Sequence, residues 1–294
     1  MEILSIFIIL ERIMPNMKML DKVNVKALAL GGFDGMHKAH QELFSHLDEK
    51  NGAILAIDND YANLSPKKNR QKYTKIQIFY YNLSEIKHLD AKTFIAFLEK
   101  DFPNLEQILV GFDFAFGKNR QAGIKELKEY FKGKVFVLEE FCIKNIPVHS
   151  RLIRQMLQDA NLSQANTFLG RSYEIEAGHI KGQGLGKKAF VPTINLEKSE
   201  FLLPKSGVYV TKTYLDGVFY DSLTFLGHRQ TTDGSFASEC HVLNKDFAMD
   251  KDFKNVKVKF LEFLRENKKF DNFSALKEQI LLDIDKAKEY FDLK

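Results

Sequence analysis

The chain has 294 residues, enough for two ordinary domains that each bury a core. Its 43 Lys and Arg against 39 Asp and Glu leave a formal charge of +4, too slight to argue for a nucleic-acid partner. Two cysteines, Cys142 and Cys240, stand far apart and outside any CxxC pattern, which argues against a disulfide framework or a zinc site and fits a reducing, cytoplasmic setting.

Met1 to Leu10 is apolar but too short to span a bilayer, and it has neither a basic n-region nor a small-residue cleavage site. No membrane association is expected. Met17 and Met19 are alternative starts to a first domain read over residues 17–165. Val23 to Leu30 is an apolar strand, broken by Gly31 and Gly32, and a helical pattern follows from His37 through Leu47. Ala53 to Ile57 is a second strand. The spacing predicts helices over Tyr73 to Leu83 and Ala91 to Lys100, a strand at Gln107 to Val110, a loop from Gly111 to Gly123, a helix over Ile124 to Phe131 and a strand at Lys134 to Leu138. Strands alternating with helices argue for a parallel sheet covered on both faces. Ser150 to Gln158 and Asn161 to Leu169 continue as helices.

The pattern changes near Gly170, and residues 166–294 form the second expected domain. Val208 to Leu215 alternates, Asp216-Gly217 supplies a hairpin turn, and Val218 to Phe225 returns. Glu239 to Leu243 and Val256 to Leu264 are later strands. Leu276, Ile280, Ile284 and Ala287 mark a closing amphipathic helix capped by Asn272 or Ser274.

Two segments invite chemistry. Gly31 to His40 follows a strand and opens a helix, so its glycines let backbone amides approach an anion, and His37 and His40 share one helix face. No Gly-Lys-Ser/Thr closes this loop, so it is not a Walker loop. On spacing alone, a turn with two surface histidines is as good a reading. Farther on, Gly182 to Lys188 is a glycine-dense basic loop, and Pro192-Thr193-Ile194-Asn195 follows it. Thr193 and Asn195 point to the same side of an extended segment, where a hydroxyl and an amide oxygen suit Mg²⁺ carried by nucleotide oxygens. Alone, this is more often a turn entering a strand.

Several motifs in order carry a family resemblance. FDGMHKAHQ (33–41) resembles the FDG-x-H-x-G-H-Q signature of the prokaryotic bifunctional riboflavin kinase/FAD synthetases, which are FMN adenylyltransferases. VGFDFAFGKNRQAG (110–123) is similar to their flavin loop, Ser150 to Arg154 to their phosphate motif, and LGRSY (169–173) to their domain junction. VPTIN (191–195), LLPKSGVYV (202–210), Ser238 to His241 and LRENKKF (264–270) resemble their kinase motifs. The resemblance spans residues 23 to 291. It implies a Rossmann-like α/β nucleotidyltransferase domain followed by an all-β Greek-key kinase barrel of six strands with a C-terminal helix.

The resemblance also implies roles. His37 and His40 would contact ATP phosphates, Gly32, Phe33, Asp34 and Gly35 would shape the nucleotide pocket, and Ser150 and Arg154 would hold the triphosphate. Asp113, Phe116 and Arg120 would lie near FMN. In the second domain Glu239 would be the general base toward riboflavin, Thr193 and Asn195 would hold Mg²⁺, Gly182, Gly184 and Lys187 would cover ATP phosphates, and Arg265 and Phe270 would sit at the flavin end. Riboflavin, FMN, FAD and ATP are the expected partners, and a homo-oligomer is left open. Departures fall mainly in the first domain: Ala39 replaces a glycine, Asp58-Asn59-Asp60 stands where the family has Pro-His-Pro, and Arg151 replaces a threonine. In the second, Phe225 stands for an asparagine. A kinase with a degenerate first domain, a flavin-binding protein without turnover, and a nucleotidyltransferase for another phosphorylated substrate are the competing readings.

Overall fold

The computed structural model describes residues 20–59, 61–180, 191–231, 233–245 and 253–293. By internal contacts the chain divides into two compact units, residues 1–149 and 150–294.

In the first unit the order is β1 (Ala27–Gly31), α1 (Lys38–Phe44), β2 (Gly52–Asp58), β3 (Gln77–Asn82), α2 (Leu83–Ile86), α3 (Ala91–Asp101), β4 (Gln107–Gly111), α4 (Ile124–Tyr130) and β5 (Lys134–Leu138). The five strands pair in parallel in the order β3-β2-β1-β4-β5. Alternate residues of each strand feed two cores, as a doubly covered sheet requires. Leu28, Leu30, Leu55 and Val110 pack with Phe94, Ile95 and Leu98 of α3. Ala29, Ile54 and Leu109 pack with Leu43 and Phe44 of α1. Burying each leucine fully contributes roughly 1.5–3 kcal/mol. Asp90 caps α3 by accepting from Thr93 N at 2.8 Å. A short hairpin, β6 (Cys142–Ile143) and β7 (Ile146–Pro147), ends this unit.

One predicted helix is a strand. Tyr73 to Leu83 reads as helical because apolar residues recur at helical intervals, yet Gln77–Asn82 is β3, paired along its length with β2. Ile78 faces one core while Phe79 and Tyr81 face the other. A β-branched and aromatic run fits that pleated position, and sheet pairing overrides the weak helical spacing.

The second unit runs α5 (Ser150–Gln158), α6 (Leu162–Leu169), β8 (Tyr173–Ala177), β9 (His179–Ile180), β10 (Ile194–Leu196), β11 (Gly207–Leu215), β12 (Val218–His228), β13 (Phe236–Val242), β14 (Val256–Glu266) and α7 (Phe273–Asp292). The sheet order is β8-β14-β11-β12-β13-β10-β9, antiparallel between all neighbours. The first and last members, β8 and β9, are consecutive in the chain and separated only by Gly178. The sheet therefore curls until one bent strand supplies both of its edges, which yields a six-stranded barrel. Within it β14-β11-β12-β13 has the Greek-key arrangement, the fourth strand returning beside the first.

Asn166 ties α6 to the barrel: its amide donates to Phe260 O at 3.1 Å and accepts from Tyr173 N at 2.7 Å. Contacts thus divide the chain before Ser150, earlier than the expected boundary at 165/166. The pattern registers the type of element, whereas packing registers its partner. Asn272, not Ser274, caps α7, accepting from Ala275 N at 2.9 Å.

Candidate active sites

In the first unit the chain order reverses between β1 and β4, and the loops after these two adjacent strands leave the sheet at its carboxyl edge. That crevice is where open α/β sheets bind ligands. The loop after β1 holds Gly32 to His37, and the loop after β4 holds Phe112 to Gly123, so the fold brings two of the sequence-predicted segments to one edge.

The first loop is tightly built. Phe33, Gly35 and Met36 have φ of 50, 80 and 46°, left-handed values that let the backbone reverse within a few residues. The buried Asp34 carboxylate accepts from Ser65 N at 2.9 Å and Leu64 N at 3.1 Å, and Gly35 N donates to Ser65 Oγ at 2.7 Å. Asp34 and Gly35 therefore bind the segment ahead of Pro66 and fix the turn. His37 occupies the N-cap of α1, and its ring stacks on that of His40 with centroids 3.5 Å apart. Phe33 meets the edge of His40 at 5.2 Å and of Phe44 at 5.0 Å, fixing the histidine pair from below.

The second loop is divided. Asp113 and Arg120 are exposed, but Phe116 is buried and exchanges backbone hydrogen bonds with Ala122. Its ring packs on Phe94 and Phe114, each with centroids 5.5 Å away. Phe116 is thus packed into the core, where it shapes the loop. The exposed aromatic here is Phe112, which sequence reading did not single out; it lies 6.2 Å from the His149 ring.

Where the family has Pro-His-Pro, Asp58 ends β2 and meets the fully buried Arg70 at 3.5 Å. Arg70 also lies over the Tyr80 ring, and burial raises the Tyr80 phenol well above its usual range. Ser150 and Arg154 are four residues apart on α5, on one face of that helix and in the second compact unit.

In the second unit Asn195 of β10 pairs directly with Glu239 of β13. Residues opposite each other across an antiparallel ladder project to the same face. Glu239 also pairs with Phe225 of β12, on the face that Val208, Val210 and Leu223 present to Ile284 and Ala287 of α7. Cys240 and Thr224 point the other way, into the barrel, within a buried set of hydroxyls: Thr211 bonds Ser222 and Thr224, Thr213 bonds Ser222, and Thr224 bonds Cys240 Sγ at 3.2 Å.

A guanidinium absent from the sequence-predicted set joins the pair. Arg229 donates to Glu239 Oε1 from Nε at 3.0 Å and Nη2 at 2.5 Å, and from Nη2 to Asn195 Oδ1 at 3.2 Å. No spacing in the sequence singles it out, because it acts from a loop folded back over β13. Thr193, two residues before Asn195, is half-buried; His241 Nδ1 lies 2.8 Å from the neighbouring Pro192 carbonyl.

Arg265 is engaged by the closing helix. It pairs with Asp283 of α7 through Nε at 3.0 Å and Nη2 at 2.7 Å, with the Asp283 side chain 2 % exposed. The guanidinium lies 5.8 Å from the Phe270 ring centroid, and Phe270 N donates to Thr231 Oγ1 at 3.1 Å. Gly182, Gly184 and Lys187 lie outside the described residues. Among the described residues no three His, Cys, Asp or Glu side chains group as metal ligands, and no helix is long and apolar enough to cross a membrane.

Residues 169–291 match the family model for riboflavin kinase. Proteins named bifunctional riboflavin kinase/FMN adenylyltransferase align along nearly the whole chain. The Haemophilus influenzae protein is 29 % identical, covering 90 % of this chain and 94 % of its own. Those of Bacillus subtilis and Escherichia coli K12 are each 26 % identical over 90 % of this chain, covering 92 % and 93 % of their own. A Streptococcus pneumoniae crystal structure, described as a macrolide-efflux protein, has TM-score 0.78 at 24 % identity, covering 93 % of this chain and 96 % of its own; that likeness is one of fold.

Proposed function

We propose that this member of the bifunctional riboflavin kinase/FMN adenylyltransferase family phosphorylates riboflavin with ATP in its second unit and adenylylates FMN in its first. The observation that carries the kinase reading is the facing pair Asn195 and Glu239 on one side of the barrel. In the transfer, the 5′-hydroxyl oxygen bonds to the γ-phosphorus as the bond to the β,γ-bridging oxygen breaks, and ADP leaves. Glu239 accepts the hydroxyl proton, a role that contributes about 10²- to 10⁴-fold.

The donor set fits a hard cation. Asn195 Oδ1 and the Thr193 hydroxyl offer neutral oxygens, which suit a cation that nucleotide oxygens would also ligate. Mg²⁺ bound there supplies charge neutralisation on the triphosphate. Ser150 and Arg154 keep, on the sequence resemblance, their expected part in adenylyl transfer, as ligands of the triphosphate there.

In the first unit, an FMN phosphate oxygen bonds to the α-phosphorus of ATP and pyrophosphate leaves. His37, which is buried, and the half-buried His40 stack their rings beside a turn fixed by Asp34, after β1 at the carboxyl edge of the sheet. A kinase with an idle first unit is the second reading. It is favoured by Phe116 being sunk in the core and by the Asp58–Arg70 contact at the position of the missing Pro-His-Pro.

Purified protein incubated with riboflavin, ATP and Mg²⁺, with flavins resolved by chromatography, tests both. FMN followed by FAD is the expected result; FMN alone supports the second reading, and tight flavin binding with neither product sinks both. Glu239→Gln should lower FMN formation at least about 10²-fold and leave conversion of added FMN to FAD intact.

A further inference from the structure

We propose that Arg229 is a positioning residue of the kinase site, holding the Glu239 carboxylate by one oxygen so that the other meets the riboflavin hydroxyl. The inference rests on the reading of Glu239 as the proton acceptor. Nε and Nη2 both converge on Oε1, at 3.0 and 2.5 Å. Among the described residues, Oε2 takes no hydrogen bond. A carboxylate gripped at one oxygen by two donors has its plane and its remaining lone pairs fixed, which an ammonium on a flexible stem cannot do as well.

The guanidinium is itself held. Nη1 donates to Ser235 Oγ at 2.8 Å, and Asp233 Oδ1 accepts from Ser235 N at 3.0 Å and from Ser235 Oγ at 2.7 Å. Arg229 N donates to Ser235 O at 2.9 Å, and Gly234 N donates to Arg229 O at 3.1 Å, closing the loop between β12 and β13. The same loop accepts from Phe270 N through Thr231 Oγ1 and from Asn267 Nδ2 through the His228 carbonyl at 2.7 Å. It therefore links the carboxylate to the segment expected at the flavin end.

Nη2 has a second partner, Asn195 Oδ1, the oxygen assigned to the cation. Asn195 would hold the cation through the same oxygen that Arg229 Nη2 reaches, so the guanidinium and a metal–nucleotide complex would share that atom. Arg229 thus holds both side chains at their working spacing before the substrates enter, which is how preorganised sites gain rate. An alternative role, pinning the hairpin loop only, makes a different prediction in combination with Glu239.

The test is a double-mutant cycle on FMN formation, with FMN-to-FAD conversion and thermal unfolding followed in the same preparations. Arg229→Ala should lower kcat on the order of 10²-fold with the KM for riboflavin little changed. Arg229→Lys should fall between Ala and wild type. On a Glu239→Gln background, Arg229→Ala should add no further loss, because groups that act as a unit are not additive. If Arg229→Ala does not fold, Arg229→Gln replaces it in the cycle. Full kcat in a folded variant lacking the guanidinium overturns the proposal, as does a loss that multiplies when combined with Glu239→Gln or a change confined to KM. Undiminished FMN formation by Glu239→Gln alone is a separate outcome: it removes the reading of Glu239 and this inference with it.

Discussion

On β13 two neighbouring side chains have opposite fates. Glu239 faces the outer side with Asn195, and Cys240 points inward, where it is buried against Thr224. Burial pushes the Cys240 thiol up to about 11. At pH 8 its thiolate fraction is therefore on the order of 10⁻³, and the closed interior denies a reagent access. Cys142, by contrast, is exposed. A thiol-reactive dye at pH 8 should modify Cys142 in the native protein and reach Cys240 only in denaturant. Labelling of both in the native state, mapped by peptide mass spectrometry, would show that the barrel opens. Residue type alone made Glu239 look like a surface carboxylate, since serine and cysteine flank it. Only the ladder sets Asn195 opposite Glu239, the pairing on which the proposed site rests.

At the level of elements, a largely buried ion pair adds to the apolar packing that holds α7 to β14. Asp283 is nearly inaccessible, takes three hydrogen bonds from Arg265 and accepts another from Gln279 at 3.0 Å. Arg265→Met would leave a buried carboxylate without its cation, a change that typically costs about 3–5 kcal/mol. Chemical unfolding of the second unit should show that loss, and an Arg265→Met/Asp283→Leu double variant should recover most of it, because an apolar pair removes the unmatched charge. Equal instability of both variants would mean that the pair does more than clamp the helix. This contact also marks how far the sequence could be read. The parallel sheet, both hairpin strands and the closing helix were legible, because periods of two and 3.6 and an Asp-Gly turn announce them. Gln77–Asn82 was not, since a short aromatic run satisfies both periods and only a neighbouring strand decides. Phe116 and Arg265 carry motif positions, yet their side chains are absorbed by Phe94 and Asp283, partners distant in sequence. Arg229 was invisible for the same reason in reverse: its importance comes from where its loop folds.

At the scale of the whole chain, two compact units carry the two proposed chemistries. The division predicts that one can be silenced alone. His37→Ala should lower FAD formation from FMN by about 10²-fold while riboflavin phosphorylation proceeds at the wild-type rate, measured by the same chromatographic separation. Parallel loss of both activities in a folded His37→Ala protein would mean that the reactions share a site. The units also differ at their borders. The five-stranded sheet ends in β3 and β5, whereas the barrel begins and ends in the one strand that bends at Gly178. A ring of strands has no row of unsatisfied amides and carbonyls waiting for a further strand. Among the described strands, backbone-to-backbone joining of two copies is therefore expected first along β3 or β5 of the other half, each of which has one side without a neighbouring strand.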